Sequence, residues 1–420
     1  MNILVLGGGG REHALVKALK HSPKVKQVSC APGNPGISLD ATCYLTDPND
    51  LRTALDLAKR IKPDLIVIGP EAPLAAGVSD ALRNQRFNVF GPSLAASRLE
   101  TSKVFSKEFM LKHKIPTANA VICTTALEVE AAAAEKFQAP WVVKADGLAS
   151  GKGVRICESQ VELKKCLHDF FETKTLGKAA QKVLLEEHLK GEELSLMLLI
   201  AGGKYVLLPV SQDHKRLHDK NKGPNTGGMG AFAPVKQWSK HLKKLEEKII
   251  IPTLEGLKAD KIDYRGVLYI GVMMTKAGPF VLEYNVRFGD PEAQVLLPLL
   301  DGNWAEVFLK VANGEIPKLK WKNQAAVCVV ITAPGYPDTP QKNIRFTIDK
   351  KIVKPDESRY LLHASTIANN GYLTAGGRVL NAIGIDKTVA AARKKAYQII
   401  KSVQFEGMHF RKDIAEKTKD

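Results

Sequence analysis

Glu283-Tyr284-Asn285-Val286-Arg287-Phe288-Gly289-Asp290-Pro291-Glu292 is the stretch that decides how this chain is read. As a strand it alternates with period two. Leu282, Tyr284, Val286 and Phe288 fall on one face as core filler, and Glu283, Asn285 and Arg287 fall on the other. The second face places a carboxylate, an amide oxygen and a guanidinium within about 14 Å. Hard oxygen ligands suit Mg²⁺, which proteins usually hold through one or two side chains plus substrate phosphates. A guanidinium offers a planar fork to a phosphate or carboxylate. Gly289-Asp290-Pro291 then turns the chain, and Asp290 and Glu292 add two carboxylates. A merely solvated face would mix in Lys, Thr and Ser and would not divide its chemistry so cleanly.

The chain around this stretch has the length of two to four domains. Its 420 residues are 45% hydrophobic and 25% charged, as in ordinary globular protein. No apolar run approaches the ~18 residues of a membrane span. Met1-Asn2-Ile3-Leu4 lacks a basic leader, so no signal peptide is read, and six scattered cysteines without metal spacing suit reduced thiols. A cytoplasmic enzyme is expected. The net charge of +17 raises the question of nucleic acid. The lysines spread through every region, aromatic residues are only 6%, and no recognition helix or zinc finger is visible. A basic field that attracts anionic substrates is sufficient. Neither nucleic acid nor membrane is expected as a partner.

The first hundred residues read as alternating strands and helices. Ile3–Leu6, Val25–Ala31 and Leu65–Ile68 are apolar enough for parallel strands buried on both faces, with helices over Arg11–Lys20 and Pro48–Ile61. Such doubly wound sheets bind ligands beyond the carboxyl ends of their strands. Gly7-Gly8-Gly9-Gly10 lies at one such end and Gly69-Pro70-Glu71-Ala72-Pro73 at another. The dinucleotide fingerprint fails, because Glu12 stands where its third glycine belongs. The broader possibility of a phosphate on helix N-terminal amides stays open.

One helix is expected over Thr101–Ile115. Val142-Val143-Lys144 then ends a strand at a glycine-rich loop, Asp146 to Val154, that can fold over phosphates. It lacks the spacing of a Walker A loop. Glu186-Glu187-His188-Leu189, Ser211 to Arg216 and Asn225 to Gly230 follow as polar, specific segments. In the last hundred residues, strands near Ala326–Thr332 and Ala375–Ile383 and a helix over Thr388–Val403 suggest a closing or positioning role.

Several motifs occur in one order: Gly9 to Ala14, Gly69 to Pro73, Lys144 to Val154, Ser211 to Arg216, Gly223 to Gly230, Asn285 to Glu292, Gly376 to Val379 and Phe410 to Ile414. Together they resemble the phosphoribosylamine–glycine ligases of the ATP-grasp superfamily, from end to end. The resemblance implies a doubly wound parallel-sheet α/β domain (1–101), an ATP-grasp domain of two α+β subdomains (102–325, lid about 121–188) and a small mixed α/β C-terminal domain (326–420). It implies a carbon–nitrogen ligase that joins glycine to 5-phosphoribosylamine at the expense of ATP, with glycyl phosphate as intermediate and Mg²⁺ or Mn²⁺ as metal.

Roles follow residue by residue from the resemblance. Lys103 and Lys144 reach ATP phosphates, with Gly151, Lys152 and Gly153 as the lid. Glu186 and Leu189 form the adenine hinge and Glu193 holds the ribose. Glu283 and Asn285 hold the metal. Arg287, Asp290, Pro291, Asp213 and Lys215 face the reacting phosphoryl group and glycine. Gly9, Gly10, Arg11 and Glu71 take the ribosylamine phosphate and hydroxyls. A monomer or weak dimer is expected, with transient contact to the amidotransferase that makes the labile amine. One departure is Met273, which stands in the place of a second metal-binding acid on the preceding strand.

Overall fold

The computed structural model describes residues 1–149, 153–173, 175–349 and 351–416. The expectations for Gly151 and Lys152 concern residues outside these. The N-terminal sheet is parallel throughout, in the order Thr42–Cys43, Gln27–Pro32, Asn2–Gly7, Leu65–Ile68, Val89–Phe90. Its central strands are buried on both faces, as their unbroken apolar runs require. Helix Gly10–Lys20 follows the glycine loop directly, and helix Leu51–Ile61 is capped by Asp50 accepting from Thr53 N.

Two antiparallel four-stranded sheets follow. One runs Ala120–Cys123, Val183–Glu187, Trp141–Ala145, Val154–Cys157, over its own apolar cluster of Val129, Leu163 and Phe170. The other runs Lys204–Leu207, Glu192–Ala201, Gly266–Met274, Pro279–Asn285. A five-stranded antiparallel sheet joins Gln212–Asp213 and Gly230–Ala233 to Ala325–Thr332, Arg378–Asp386 and Arg359–His363. Hydrogen bonds therefore cross the expected boundary at 325/326.

Three local expectations change. The helix expected over Thr101–Ile115 is two helices, Leu94–Thr101 and Lys103–Lys112. Ser102 interrupts them with extended backbone, because its hydroxyl accepts from Phe105 N and donates to Asp146. The strand expected over Ala375–Ile383 is Arg378–Asp386. Gly376 and Gly377 precede it, and an added Cβ on Gly377 would lie 2.1 Å from the Tyr336 ring. Leu282 does not join Tyr284 in the core. The register slips between Gly271 opposite Glu283 and Val272 opposite Val281, so Leu282 is the extra residue of a bulge and turns into the cleft. Tyr284, Val286 and Phe288 are buried as expected.

Candidate active site

A cleft of about 520 Å³ lies where the sheets meet, within the roughly 300–1,000 Å³ of small-molecule sites. It gathers Arg11, Glu71, Lys103, Lys144, Gly153, Glu186, Asp213, Lys215, Glu283, Asn285, Arg287 and Asp290 from segments far apart in sequence.

At one end, Glu186 lies between two lysines. Lys144 Nζ is 2.7 Å from Oε2 and Lys107 Nζ is 3.1 Å from Oε1. Burial opposes ionisation of Glu186, but Lys144 and Lys107 outweigh it and hold the carboxyl below its usual range. Lys144 Nζ also donates to the Leu282 carbonyl at 2.9 Å, so the bulge anchors it. Lys103 begins its helix and donates to Gly147 O at 3.3 Å. Burial lowers its pKa although Glu283 supports the charge. Gly153 closes the loop through its carbonyl, which accepts from Ala145 N.

At the other end, Arg287 is held by two carboxylates. Nη2 donates to Glu100 Oε1 at 2.7 Å and Nε to Glu71 Oε2 at 3.3 Å. Nη2 also reaches Asn285 Oδ1 at 3.1 Å, and Asn285 Nδ2 donates to Glu283 Oε1 at 3.3 Å. Burial pushes the Glu100 pKa up. Glu71 is held low, because Arg287 and Arg11 overcome the effect of burial. Asp290 is likewise held low against burial by Arg378 and Arg11, and Gln294 Nε2 donates to its Oδ1 at 2.6 Å.

Between the ends lie Glu283, Lys215 and Asp213. Burial works against the Glu283 charge, but Lys215, Lys144 and Lys103 hold its pKa low. Lys215 bridges Glu193 at 3.4 Å and Glu283 at 3.9 Å. Gly228, at φ +114°, brings the loop against Asp290-Pro291, and an added Cβ there would lie 2.5 Å from Pro291 Cδ.

The remaining expected residues stand outside the cleft wall. Glu193 meets it only through Lys215, and Leu189 follows the strand Val183–Glu187. The glycine loop is largely committed internally. Gly9 N donates to Glu12 Oε2 at 2.6 Å, and Gly10 must be glycine because an added Cβ would lie 2.2 Å from Asn381 Nδ2. Arg11 donates to Glu12 Oε1 and Phe288 O. Opposite Glu283 the neighbouring strand presents Gly271, while Met273 pairs with Phe280. Neither residue is acidic.

Sequence reasoning missed Glu100 and Lys107, quoted Arg378 only within a motif, and noted Glu292 as a carboxylate without placing it. Arg378 donates to Gly227 O and Asp290 O at 2.6 Å each, so the C-terminal region does position the substrate loop. Glu292 accepts from Ser195 Oγ at 3.2 Å. Glu100 and Lys107 look like ordinary helix residues in sequence. Only Arg378 and Glu292 had a signal, since both lie inside quoted motifs.

Comparison with known proteins agrees along the chain. Residues 1–100, 101–293 and 326–417 match the N, ATP-grasp (A) and C domains of phosphoribosylglycinamide synthetase. A phosphoribosylamine–glycine ligase of Caldanaerobacter subterraneus is 38% identical over 99% of both chains, and one of Ralstonia nicotianae is 42% identical over 99% of both. The crystal structure of the phosphoribosylamine–glycine ligase of Thermotoga maritima covers 99% of this chain and 100% of its own, at 36% identity and TM-score 0.84. A biotin carboxylase domain from Hydrogenobacter thermophilus shares the fold at 17% identity and TM-score 0.74, covering 97% of this chain and 91% of its own. Among the described residues no helix is long and apolar enough to cross a membrane. The chain belongs to the phosphoribosylglycinamide synthetase family of ATP-grasp enzymes, and it is a carbon–nitrogen ligase of purine biosynthesis that uses ATP to join glycine to phosphoribosylamine.

Proposed function

We propose a division of labour within the cleft. ATP lies along the lysine-rich end, with its phosphates toward Lys103, Lys144 and the loop at Gly151, Lys152 and Gly153. Adenine sits by Glu186–Leu189 and the ribose by Glu193. Glycine and the transferred phosphoryl group meet Arg287, Asp290, Pro291, Asp213 and Lys215. The ribosylamine approaches from Glu71 and the loop at Gly9, Gly10 and Arg11. The observation that carries this division is the convergence of four lysine amines and a ring of carboxylates on one cleft.

Mg²⁺ fits Glu283 and Asn285. Asn285 Nδ2 donates to Glu283 Oε1, which leaves Oε2 for a cation, while Asn285 Oδ1 accepts from Arg287 and would join a metal only after its amide turns over. No group of three or more metal-binding acids, histidines or cysteines exists among the described residues. Two protein oxygens plus substrate phosphates is the usual Mg²⁺ arrangement, and Mn²⁺ accepts the same donors. A metal held by these residues would supply positive charge against the negative charge that develops during transfer.

The chain's own contribution is positioning. Lys144, fixed by Glu186 and Leu282 O, holds the phosphates in line. Glycine's carboxylate attacks the γ-phosphate to give glycyl phosphate, and the ribosylamine nitrogen then displaces phosphate. Both steps depend on orientation and charge more than on a protein nucleophile. The Glu283→Ala variant tests the metal assignment. We expect metal-dependent turnover to fall by roughly 10³-fold, about 4 kcal/mol in barrier, with an unchanged melting transition. Near-normal activity removes Glu283 from the metal site.

A further inference from the structure

The amide-forming step requires the attacking nitrogen to shed a proton as it becomes an amide. The cleft holds seven carboxylates: Glu71, Glu100, Glu186, Asp213, Glu283, Asp290 and Glu292. Most are already engaged. Both oxygens of Glu186 meet lysines, and Glu100 accepts from Arg287 and from Val286 N. Glu71 meets Arg287, Asp290 meets Gln294 and Arg378, and Glu292 accepts from Ser195. Glu283 is surrounded by lysines that favour its anion.

Asp213 differs. Its Oδ1 is shielded from solvent and has no hydrogen-bond partner among the described residues. Its strand, Gln212–Asp213, is pinned to Gly230–Ala233, so the carboxylate sits on a rigid element and not on a free loop. Gly228 comes close enough that an added Cβ would lie 3.0 Å from Oδ1. A dry carboxylate with an unused oxygen, on the wall of the cleft that also holds Glu283 and Arg287, is arranged to take a proton.

We propose that Asp213 is the general base that accepts the proton from the ribosylamine nitrogen in the second step. This rests on the glycyl phosphate reading above. The nitrogen lone pair forms the C–N bond to the glycyl carbonyl carbon. The bond from that carbon to the bridging oxygen breaks, and its electron pair leaves with phosphate. One N–H proton passes to the Asp213 carboxylate, which returns it to departing phosphate or solvent.

The surroundings suit the task. Burial and then neighbouring Glu292 push the Asp213 pKa well above the usual carboxylate range, while Lys215 and Arg378 oppose the rise. The His214 amide adds slight support for the anion, though it donates to Gly230 O. Tyr269 and Cys328 are the other titratable groups that sense its charge, and burial raises both, keeping them neutral. A carboxylate with a raised pKa is a stronger base than an ordinary one and holds an abstracted proton more firmly.

Hydroxylamine separates this role from glycine binding. It traps glycyl phosphate as the hydroxamate and is mostly unprotonated at neutral pH, so it has little need of a base. Because Asp213 also borders the proposed glycine site, Asp213→Asn is read at saturating glycine as a ratio of products: any fall in ATP- and glycine-dependent hydroxamate reports the first step, and ligation should fall well beyond it. Glycinamide ribonucleotide formation should fall by roughly 10²–10⁴-fold, the usual worth of a general base. Parallel loss of both products places Asp213 in the first step and overturns the proposal, as does undiminished ligation. Wild-type protein that yields no hydroxamate removes the acyl phosphate and the base together. If the amide variant does not fold, Asp213→Glu keeps the carboxylate. It should retain hydroxamate formation with partial ligation, and loss of hydroxamate there is equally fatal.

Discussion

The two ends of the cleft are built from inverse charge clusters. At one end the carboxylate of Glu186 is clasped by Lys107 and Lys144, and at the other the guanidinium of Arg287 is clasped by Glu71 and Glu100. Each central group is satisfied, yet the surplus is opposite: one positive charge at the first end and one negative at the second. The surplus lysine charge faces the proposed triphosphate. The surplus acid faces the proposed sites of the amine, hydroxyls and metal. Neither cluster is a strong stabiliser of the fold, since buried pairs roughly cancel their own desolvation. Breaking one is costly, because the remaining partner stays buried and uncompensated.

The largest effect is expected from Arg287→Ala, which strands Glu100 with little solvent. Urea unfolding should show a loss of about 3–5 kcal/mol. Adding Glu100→Gln should recover part of it, and strictly additive losses would break the idea of a clasp. Glu186→Gln should cost less, about 1–3 kcal/mol, because Lys107 keeps Thr117 Oγ1 and Ala118 O as acceptors. Its kinetic signature is a raised KM for ATP as Lys144 loses its mooring. The acid response has a definite sign. The Glu186 pKa is depressed by folding, so its stabilisation is present above the ordinary glutamate value and is lost as pH falls through the folded value. Acid unfolding of the glutamine variant should therefore be shallower than that of wild type. The smallest change belongs to Glu71→Gln, whose partly open pair is worth less than about 1 kcal/mol. Its effect should appear in KM for the ribosylamine with KM for ATP unchanged. A shift in the ATP value instead would merge the two ends.

Much of this site was legible because its residues lie close in sequence on one strand. Glu283, Asn285 and Arg287 needed only period two, and their hydrogen-bonded relay follows from that spacing. The same rule failed one residue earlier, at Leu282, since a bulge inserts a residue without changing composition. Glu100 and Lys107 were invisible because nothing in their helices distinguishes them from solvated charge. Their roles come from tertiary contacts with Arg287 and Glu186. The glycine loop has internal packing that its composition does not show. Its glycines read as a phosphate cradle, but Gly10 is small because Asn381 packs against it, and Glu12 already occupies the Gly9 amide. The doubly wound sheet was readable from buried apolar runs, whereas the antiparallel pairings that place Asp213 depend on partners far along the chain.

Those pairings also set an order of assembly during synthesis. Gly230–Ala233 takes its register from Ala325–Thr332, with Ala231 opposite Cys328, and that strand in turn pairs with Arg378–Asp386. The lysine end draws on strands complete by Glu187, plus Leu282 and Lys103. A nascent chain thus holds everything needed to grip a triphosphate well before it can fix the segment carrying Asp213. Sheet pairings of such long sequence separation form late and slowly. On the proposed roles, the segment that carries Asp213 takes its sheet pairing only after residues 325–386 have left the ribosome.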